Sequence, residues 1–213
     1  MKKIIVCLLL VLLVLWFYPF NVKRVYNGID ISHHNNICWE CIAKDSNIKF
    51  CYIKATEGGV IKDNKCKNNI ENASKLNLNI GLYHYFRTNI SPNDQFNNFK
   101  SVYNKFNTDL IPVIDVEDHR NNYDNISLVN KRLSELIELY YNEYGVYPII
   151  YLGSLNAIKT FPAIYKCKIW ARTLDYSNFI PDFSIKQVSV SNIGCNYIDL
   201  NYSSNINKLK LKQ

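Results

Sequence analysis

The apolar stretch Ile111–Val116 contains one acid, Asp115, and is followed directly by a second, Glu117. Side chains of a β-strand alternate between its two faces, so both carboxylates would project to one side, with Cα atoms about 6.6 Å apart at roughly 3.3 Å per residue. Two acids in one space repel each other, which raises the pKa of one and makes it a candidate proton donor. The spacing therefore predicts an acid–base pair, with a solvated strand end as the alternative.

Two further aspartates occupy similar positions. Asp30 lies between apolar neighbours in Gly28–Ser32, and Asp199 does so in Tyr197–Asn201. The first and last strands of a closed barrel are neighbours, so we expect these two aspartates side by side at the end that holds the first pair. Four acids at one end are typical of a glycosidase. Each of these two aspartates alone could instead be a capping or turn residue.

Eight strand-like runs could position these acids. The first five alternate with helical segments, as in a parallel sheet, and the last three follow with little chain between them. The runs are Gly28–Ser32, Phe50–Ala55, Ile80–Phe86, Ile111–Glu117, Tyr147–Leu152, Lys168–Arg172, Ile185–Val190 and Tyr197–Leu200. The pattern predicts an α/β fold, a TIM-like barrel of five β/α units followed by three strands. It is shorter than the roughly 250 residues of a full eightfold barrel.

The third and fourth helical segments have the clearest boundaries. Ser91 can cap the third segment, and Pro92 suits its first helical position. Ser127 can cap the fourth segment, and Gly145 can end it.

The composition is that of a globular chain. Its 213 residues are 48% hydrophobic and 14% aromatic, which is enough for one buried core and excludes a disordered chain, a collagen-like chain and a polytopic membrane protein. The formal charge of +7 favours polyanionic partners without identifying one. The 29 Asn residues are spread through the whole chain, so we interpret them as compositional bias and discount motifs that depend on Asn.

The N-terminus has the features of an export signal. Two lysines precede Ile4–Phe20, an uncharged run of 17 residues. The bulky residues from Trp16 to Val22 offer no small-x-small cleavage site, and the run reaches the lower limit for spanning a bilayer. For residues 1–22 we therefore expect an uncleaved signal anchor rather than a cleaved signal peptide; a buried helix of the fold is a further alternative. Residues 23–213 would form one domain outside the cytoplasm, either membrane-anchored or secreted.

Cysteines can form disulfides outside the cytoplasm, and we expect at least one. The six candidates are Cys38, Cys41, Cys51, Cys66, Cys167 and Cys195, and the sequence does not choose among their pairings. Cys38 and Cys41 have redox or zinc spacing, but no second pair stands at metal-ligand spacing. We therefore expect structural cysteines and no metal, with a thiol protein that uses Cys38 and Cys41 as an alternative.

Six motifs follow one another at a spacing similar to that of one known family. They are Gly28-Ile29-Asp30-Ile31-Ser32-His33-His34, Tyr52-Ile53-Lys54-Ala55-Thr56-Glu57-Gly58, Gly81-Leu82-Tyr83-His84-Tyr85-Phe86, Pro112-Val113-Ile114-Asp115-Val116-Glu117, Ile169-Trp170-Ala171 and Ile198-Asp199-Leu200-Asn201. Together they resemble the family 25 glycoside hydrolases, the N-acetylmuramidase type of lysozyme, from about Gly28 to Tyr202.

The resemblance implies the same barrel, no cofactor, and hydrolysis of the β-1,4 bond between N-acetylmuramic acid and N-acetylglucosamine in peptidoglycan. By the match of its motif, Glu117 takes the role of general acid, and Asp115 assists at the far side of the sugar. Asp30 and Asp199 match the family's other two carboxylates. One departure is Lys186–Ser189, in a place that the family often fills with Trp-Gln-Tyr, which puts one sugar-stacking aromatic residue in doubt.

Aromatic rings stack on sugar faces, so we predict that Tyr83, Tyr85, Tyr151 and Trp170 bind the substrate. Tyr83 and Tyr85 share one side of their strand, with His84 on the other. The alternation of side chains does not say which side lines the cleft.

Two other polar groups follow strand-like runs. Glu57 could form a structural ion pair or contact the substrate. His33 and His34 are adjacent and lack a third ligand, which argues against a metal role.

We expect peptidoglycan as the partner, membrane contact through the N-terminal segment, no nucleic acid, and a monomer. The alternative is a peptidoglycan-binding protein with little or no turnover.

Overall fold

The computed structural model describes residues 25–117, 121–153, 160–172, 183–193 and 196–211. The segment expected to be a signal anchor or signal peptide, residues 1–22, lies outside the described residues. Within the described ranges, no helix has the length and apolar character needed to cross a membrane.

Strands and helices alternate through the first two thirds of the chain. The strands are β1 (Gly28–Ile31), β2 (Phe50–Glu57), β3 (Ile61–Lys62), β4 (Asn79–Tyr85), β5 (Val113–Val116), β6 (Ile149–Leu152), β7 (Lys168–Arg172), β8 (Ile185–Ile193) and β9 (Asn196–Tyr202). The α-helices that lie wholly within the described ranges are α1 (Trp39–Lys44), α2 (Cys66–Lys75), α3 (Pro92–Tyr103) and α4 (Ile126–Tyr144). Two 3-10 helices follow, at Pro162–Lys166 and Ile206–Leu209.

Eight of these strands close into a barrel. β1 pairs in parallel with β2 and antiparallel with β9, and the ring continues from β9 through β8, β7, β6, β5 and β4 back to β2. The short β3 adds an antiparallel arm to β2. The predicted TIM-like barrel that ends in three strands is confirmed, because all eight predicted strands are present in the predicted order.

The outer core lies between the barrel and the helices. Outward-facing strand residues such as Ile53, Leu82, Ile114 and Ile150 are fully buried and belong to one apolar cluster with the helices. On α3, Phe99 packs in this layer with its ring centroid 5.0 Å from that of Tyr140 on α4. This layer accounts for the apolar residues on the outward face of the strands.

The inner core fills the end of the barrel at which the parallel strands begin. Its buried members are Phe50, Tyr52, Leu110, Ile111, Val113, Ile149, Tyr151, Trp170, Ile185 and Leu209. A Cβ at Gly81 would lie 2.1 Å from the Tyr52 ring, so only glycine lets that ring cross the barrel. The filled lower half leaves space at the opposite end, where the parallel strands terminate.

The helix caps bear out three expectations and correct one. The Ser91 Oγ accepts the Asp94 N–H at 3.1 Å, Pro92 is the first residue of α3, and Gly145 ends α4 in a left-handed conformation with φ of 67°. The prediction that Ser127 caps α4 is wrong, because Asn125 Oδ1 accepts the Leu128 N–H at 3.0 Å. The helix therefore begins two residues earlier than Ser127 would allow, at an Asn that the compositional argument discounted.

Candidate active site

A cavity of about 270 Å³ occupies the end of the barrel at which the parallel strands terminate. All four predicted carboxylates line it. Asp30, Asp115 and Asp199 lie on β1, β5 and β9, and Glu117 directly follows β5. The lining residues are Asp30, Tyr83, Val113, Asp115, Glu117, Tyr151, Trp170, Arg172, Gln187 and Asp199. The predicted gathering of four acids at one end of a barrel is therefore present.

Asp30 and Asp199 are directly opposite each other on the antiparallel strands β1 and β9. Burial and, next, the charge of Asp199 raise the pKa of Asp30 well above its usual range. A hydrogen bond of 2.7 Å from the Asn201 Nδ2–H to Asp30 Oδ2 acts in the opposite direction. Burial also raises the pKa of Asp199, while a hydrogen bond with Gln187 and the charge of Arg172 lower it. This pair therefore retains protons more readily than exposed aspartates do.

Asp115 and Glu117 come from the end of β5. Burial and the charge of Glu117 raise the pKa of Asp115 well above its usual range, while the charge of Lys54 lowers it. The Oδ1 atom of Asp115 is buried and has no hydrogen-bond partner among the described residues. This carboxylate oxygen can therefore accept a hydrogen bond from a group that enters the cavity.

The backbone and a glycine set the position of Glu117. The hydroxyl of Tyr123 donates to the Glu117 carbonyl oxygen at 2.8 Å, and Asn121 Nδ2 donates to the same oxygen at 2.9 Å. A Cβ at Gly153, just after β6, would lie 3.1 Å from Glu117 Oε1. The missing side chain at Gly153 thus leaves room for the carboxylate of Glu117 next to the adjacent strand.

The structure shows which face of β4, that of Tyr83 or that of His84, lines the cavity. Tyr83 lines the cavity, and His84 lies on the other face of the strand. The Nδ1 atom of His84 is 2.7 Å from Thr56 Oγ1 and its Nε2 atom is 3.2 Å from Gln95 Oε1, and burial lowers the pKa of His84 to about 4. His84 is therefore part of the packing between β4 and α3.

Glu57 belongs to an ion-pair network. Lys54 Nζ lies 2.8 Å from Glu57 Oε2, and Arg87 Nε lies 3.4 Å from Glu57 Oε1. The Lys54 ammonium is also 4.9 Å from the centroid of the Tyr85 ring. Of the two alternatives for Glu57, the structure shows the ion pair. Tyr85 is buried beside this network and is not among the residues that line the cavity.

The other predicted aromatic residues line the cavity as a connected group. The ring centroids of Tyr151 and Trp170 are 5.1 Å apart, edge to face. The Tyr151 hydroxyl donates to Gln187 Oε1 at 2.6 Å, and the Trp170 Nε1–H donates to Asn201 Oδ1 at 3.0 Å. Only 2% of Trp170 is exposed, so its ring forms the base of the cavity.

Four polar residues at or beside the site are not among the residues predicted from the sequence: Lys54, Arg172, Gln187 and Asn201. Asn201 stands two positions after Asp199, a spacing that puts both side chains on one face of β9, and this signal was available. It was discounted with the other asparagines. Gln187 lies in the segment that was compared with the family's Trp-Gln-Tyr, so a signal was available there too. Arg172 carried no comparable signal, because its place in the site depends on β7 and β8 becoming neighbours.

None of the described cysteines and histidines is among the residues that line the cavity. A disulfide joins Cys38 and Cys41, which confirms the expectation of at least one. Cys51, Cys66 and Cys167 are free, and Cys195 lies outside the described residues. The Nδ1 atom of His33 is 2.8 Å from Asp63 Oδ2. The described part of the chain contains no group of three side chains suited to hold a metal.

Comparison with known proteins assigns the family. The model of the glycosyl hydrolases family 25 matches residues 29–178. The structure of a family 25 glycosyl hydrolase from Bacillus anthracis is 30% identical, with a TM-score of 0.75 over 84% of this chain and 90% of that one.

Two curated relatives match part of their own length. The autolytic lysozyme of Clostridium acetobutylicum is 27% identical over 177 residues, 83% of this chain and 50% of the relative. Lysozyme M1 of Streptomyces globisporus is 36% identical over 95 residues, 42% of this chain and 32% of the relative. The matches thus span half or less of these relatives. The family match covers most of the chain, and so the chain belongs to the glycosyl hydrolases family 25.

Proposed function

We propose that the chain is an N-acetylmuramidase that hydrolyses the β-1,4 bond between N-acetylmuramic acid and N-acetylglucosamine in peptidoglycan. The observation that carries the proposal is the convergence of Asp30, Asp115, Glu117 and Asp199 on one cavity of about 270 Å³. The family supports a glycosidase, and the relatives named lysozymes support a wall polysaccharide as substrate.

Cleavage of a glycosidic bond needs a proton for the leaving oxygen and stabilisation of the positive charge that develops on the sugar ring. Glu117 lies after the end of β5, is only partly buried, and is assigned the proton donor. Asp115 lies deeper and is assigned the stabilising role because its buried Oδ1 atom has no hydrogen-bond partner among the described residues; burial and the charge of Glu117 raise its pKa, and the charge of Lys54 opposes that rise. Asp30 and Asp199, which are paired on β1 and β9, keep the wall of the cavity opposite Asp115 and Glu117 polar.

The geometry favours assistance by the substrate over direct attack by Asp115. Two acids on one face of one strand approach the sugar from similar directions, whereas direct displacement needs a nucleophile on the face opposite the acid. The 2-acetamido group of the sugar can instead attack, with its N–H donated to the Oδ1 atom of Asp115 that has no partner among the described residues. Asp115 then orients the acetamido group and stabilises its charge.

The test of the activity is the release of reducing ends from purified peptidoglycan, followed by identification of the sugar that carries each new end. Muramic acid at the new reducing ends is the expected result. Glucosamine at these ends would contradict the proposed bond. Binding without any release would favour the alternative, a peptidoglycan-binding protein with little turnover.

Assistance by the substrate requires a 2-acetamido group on the muramic acid residue. A polymer that contains de-N-acetylated muramic acid should bind but resist hydrolysis, because it lacks the attacking acetamido group. Efficient cleavage of that polymer, or a glycosyl ester on Asp115 detected by mass spectrometry, would show direct attack instead.

A further inference from the structure

A second depression lies at the end of the barrel opposite the candidate active site. It has a volume of about 610 Å³, and its lining includes Lys166, Lys168, Lys208 and Lys210. These lysines come from the 3-10 helix before β7, from the start of β7 and from the C-terminal segment. None of the described residues that line the depression is acidic. We call this end of the barrel the basal face.

Three of the four lysines on the basal face have uncompensated charge within the described residues. Lys166 Nζ is 2.8 Å from Glu138 Oε1, but no described carboxylate lies within ion-pair distance of Lys168, Lys208 or Lys210. Lys208 and Lys210 are exposed, and Lys168 is partly exposed. The basal face therefore offers several free ammonium groups to an anionic partner.

Aromatic side chains lie beside the lysines. The rings of Tyr141 and Tyr147 are stacked, with centroids 4.3 Å apart and an interplanar angle of 17°. Tyr141 is 41% exposed, and Lys166 Nζ is 5.6 Å from the Tyr147 centroid. Tyrosine and lysine together are enriched where proteins meet the headgroup region of a bilayer, because each combines an apolar body with a polar tip.

The described chain also begins at the basal face. The Asn27 N–H donates to the Asn201 carbonyl oxygen at 2.8 Å, and Asn27 Nδ2 donates to the Ser203 carbonyl oxygen at 2.7 Å. These contacts hold the entry to β1 beside the end of β9, at the same end of the barrel as the lysines. The segment expected to lie in a membrane, Ile4–Phe20, is joined to this end by a few residues that include Lys23 and Arg24.

We propose that the basal face binds the anionic phospholipid headgroups of a membrane surface. The ammonium groups of Lys168, Lys208 and Lys210 pair with lipid phosphates, and Tyr141 enters the headgroup region. A bilayer is favoured over a soluble wall polyanion because the chain enters the domain on this face. The cavity with the four carboxylates then points away from the membrane. This binding is independent of the proposed hydrolysis.

The test compares how the full chain partitions onto vesicles of phosphatidylcholine and onto vesicles that also contain phosphatidylglycerol. The ratio of the two partition coefficients removes the contribution of the apolar segment, which is common to both. We expect the combined variant Lys168→Gln, Lys208→Gln, Lys210→Gln to lower that ratio about 100-fold, roughly fivefold per lysine. High salt should have a similar effect on the unaltered chain.

The matched control is Lys44→Gln, Lys67→Gln, Lys75→Gln, which removes the same charge from exposed positions on α1 and α2. It should keep the ratio near that of the unaltered chain. Both triple variants should hydrolyse soluble peptidoglycan fragments at the unaltered rate and melt at similar temperatures.

Three results would overturn the proposal. The first is an unaltered chain without preference for phosphatidylglycerol, and the second is a Lys168→Gln, Lys208→Gln, Lys210→Gln variant whose ratio is no lower than that of the control variant. The third is lysine-dependent binding of a soluble glycerol phosphate polymer without any vesicle preference, which would assign the basal face to a wall polymer.

Discussion

The carboxylates of the cavity differ in how deeply they are placed. Asp115 is buried below the end of β5, while Glu117 is partly exposed beside Gly153. This difference in depth agrees with the proposed roles, in which Glu117 donates its proton to the leaving group and Asp115 stabilises the positive charge that develops on the substrate.

Glu117→Gln should lower the rate of hydrolysis at least roughly 100-fold, because glutamine keeps the size and hydrogen bonding of the side chain but cannot donate the proton. Binding of the intact polymer should change little. The measurement is the initial rate of reducing-end release beside a pull-down on insoluble peptidoglycan. Glu71→Gln, which removes an exposed carboxylate on α2, should leave both values unchanged. A Glu117→Gln variant with the unaltered rate would remove Glu117 from the role of acid.

Asp30→Asn should stabilise the fold at neutral pH. The pKa of Asp30 is raised in the folded state, so this carboxyl contributes most to stability below its unfolded pKa of about 3.9, and the contribution is lost as the pH rises through the folded value. Asparagine has no charge to bury. We expect a gain of about 1 kcal/mol at pH 7, roughly 2–4 °C in melting temperature, that shrinks toward pH 4.

Thermal unfolding at several pH values measures the effect of Asp30→Asn. Asp124→Asn, at an exposed position, is the control and should change the melting temperature little at any pH. A loss of stability in Asp30→Asn that grows from pH 4 to pH 7 would contradict the assigned direction of the pKa shift.

At the scale of elements, the packing inside the barrel depends on a large aromatic ring that lies against a glycine. Tyr52 on β2 crosses the interior over Gly81 on β4, and its hydroxyl donates to the Ile111 carbonyl oxygen at 3.1 Å. Its ring centroid lies 5.2 Å from that of Trp170 at the base of the cavity. The packing of the lower barrel thus supports the aromatic base of the site.

Gly81→Ala should destabilise the fold by about 1–3 kcal/mol, because the new methyl group would lie 2.1 Å from the Tyr52 ring and the ring is held by its hydrogen bond. Denaturant unfolding of this variant measures the cost. In a double-mutant cycle, Tyr52→Leu should cost less when combined with Gly81→Ala than alone, since it relieves the overlap. Strict additivity of the two changes would argue against the close approach of β2 and β4.

At the scale of the whole molecule, the two ends of the barrel have different characters. The end with the cavity gathers four carboxylates, and the basal face gathers four lysines together with the entry of the chain. A domain held at a membrane by its basal face would present its cavity toward a wall polymer at a limited distance from the bilayer.

Ile4–Phe20 should remain uncleaved in the membrane with Lys2 and Lys3 on the cytoplasmic side. We expect the full-length chain in the membrane fraction, with the domain accessible to a protease added from outside. Fractionation followed by N-terminal sequencing makes the measurement. A soluble mature chain that starts near Asn21 as the main cellular form would show that the segment is a cleaved signal peptide.

The succession of strands along the chain and the shared face of Asp115 and Glu117 could be predicted from the sequence, because both depend on local patterns. Alternation along Ile111–Val116 puts Asp115 on the face shared with Glu117, whichever strands lie beside it. The number and spacing of the apolar runs allow only a few ways to close the sheet into a barrel. In these arrangements the first and last strands are adjacent, so Asp30 and Asp199 lie side by side. The family motifs point to the same four acids.

The tertiary structure decided what depends on contacts between distant segments. The alternation of residues on β4 cannot tell the inside of the barrel from the outside, and only packing against α3 turned His84 outward and Tyr83 inward. Asn201 is one of 29 asparagines in the chain, and only closure of β9 against β1 brings its amide to Asp30. Likewise, the basal lysines Lys168 and Lys210 are far apart in sequence. They share a surface because the C-terminal segment folds back under the barrel.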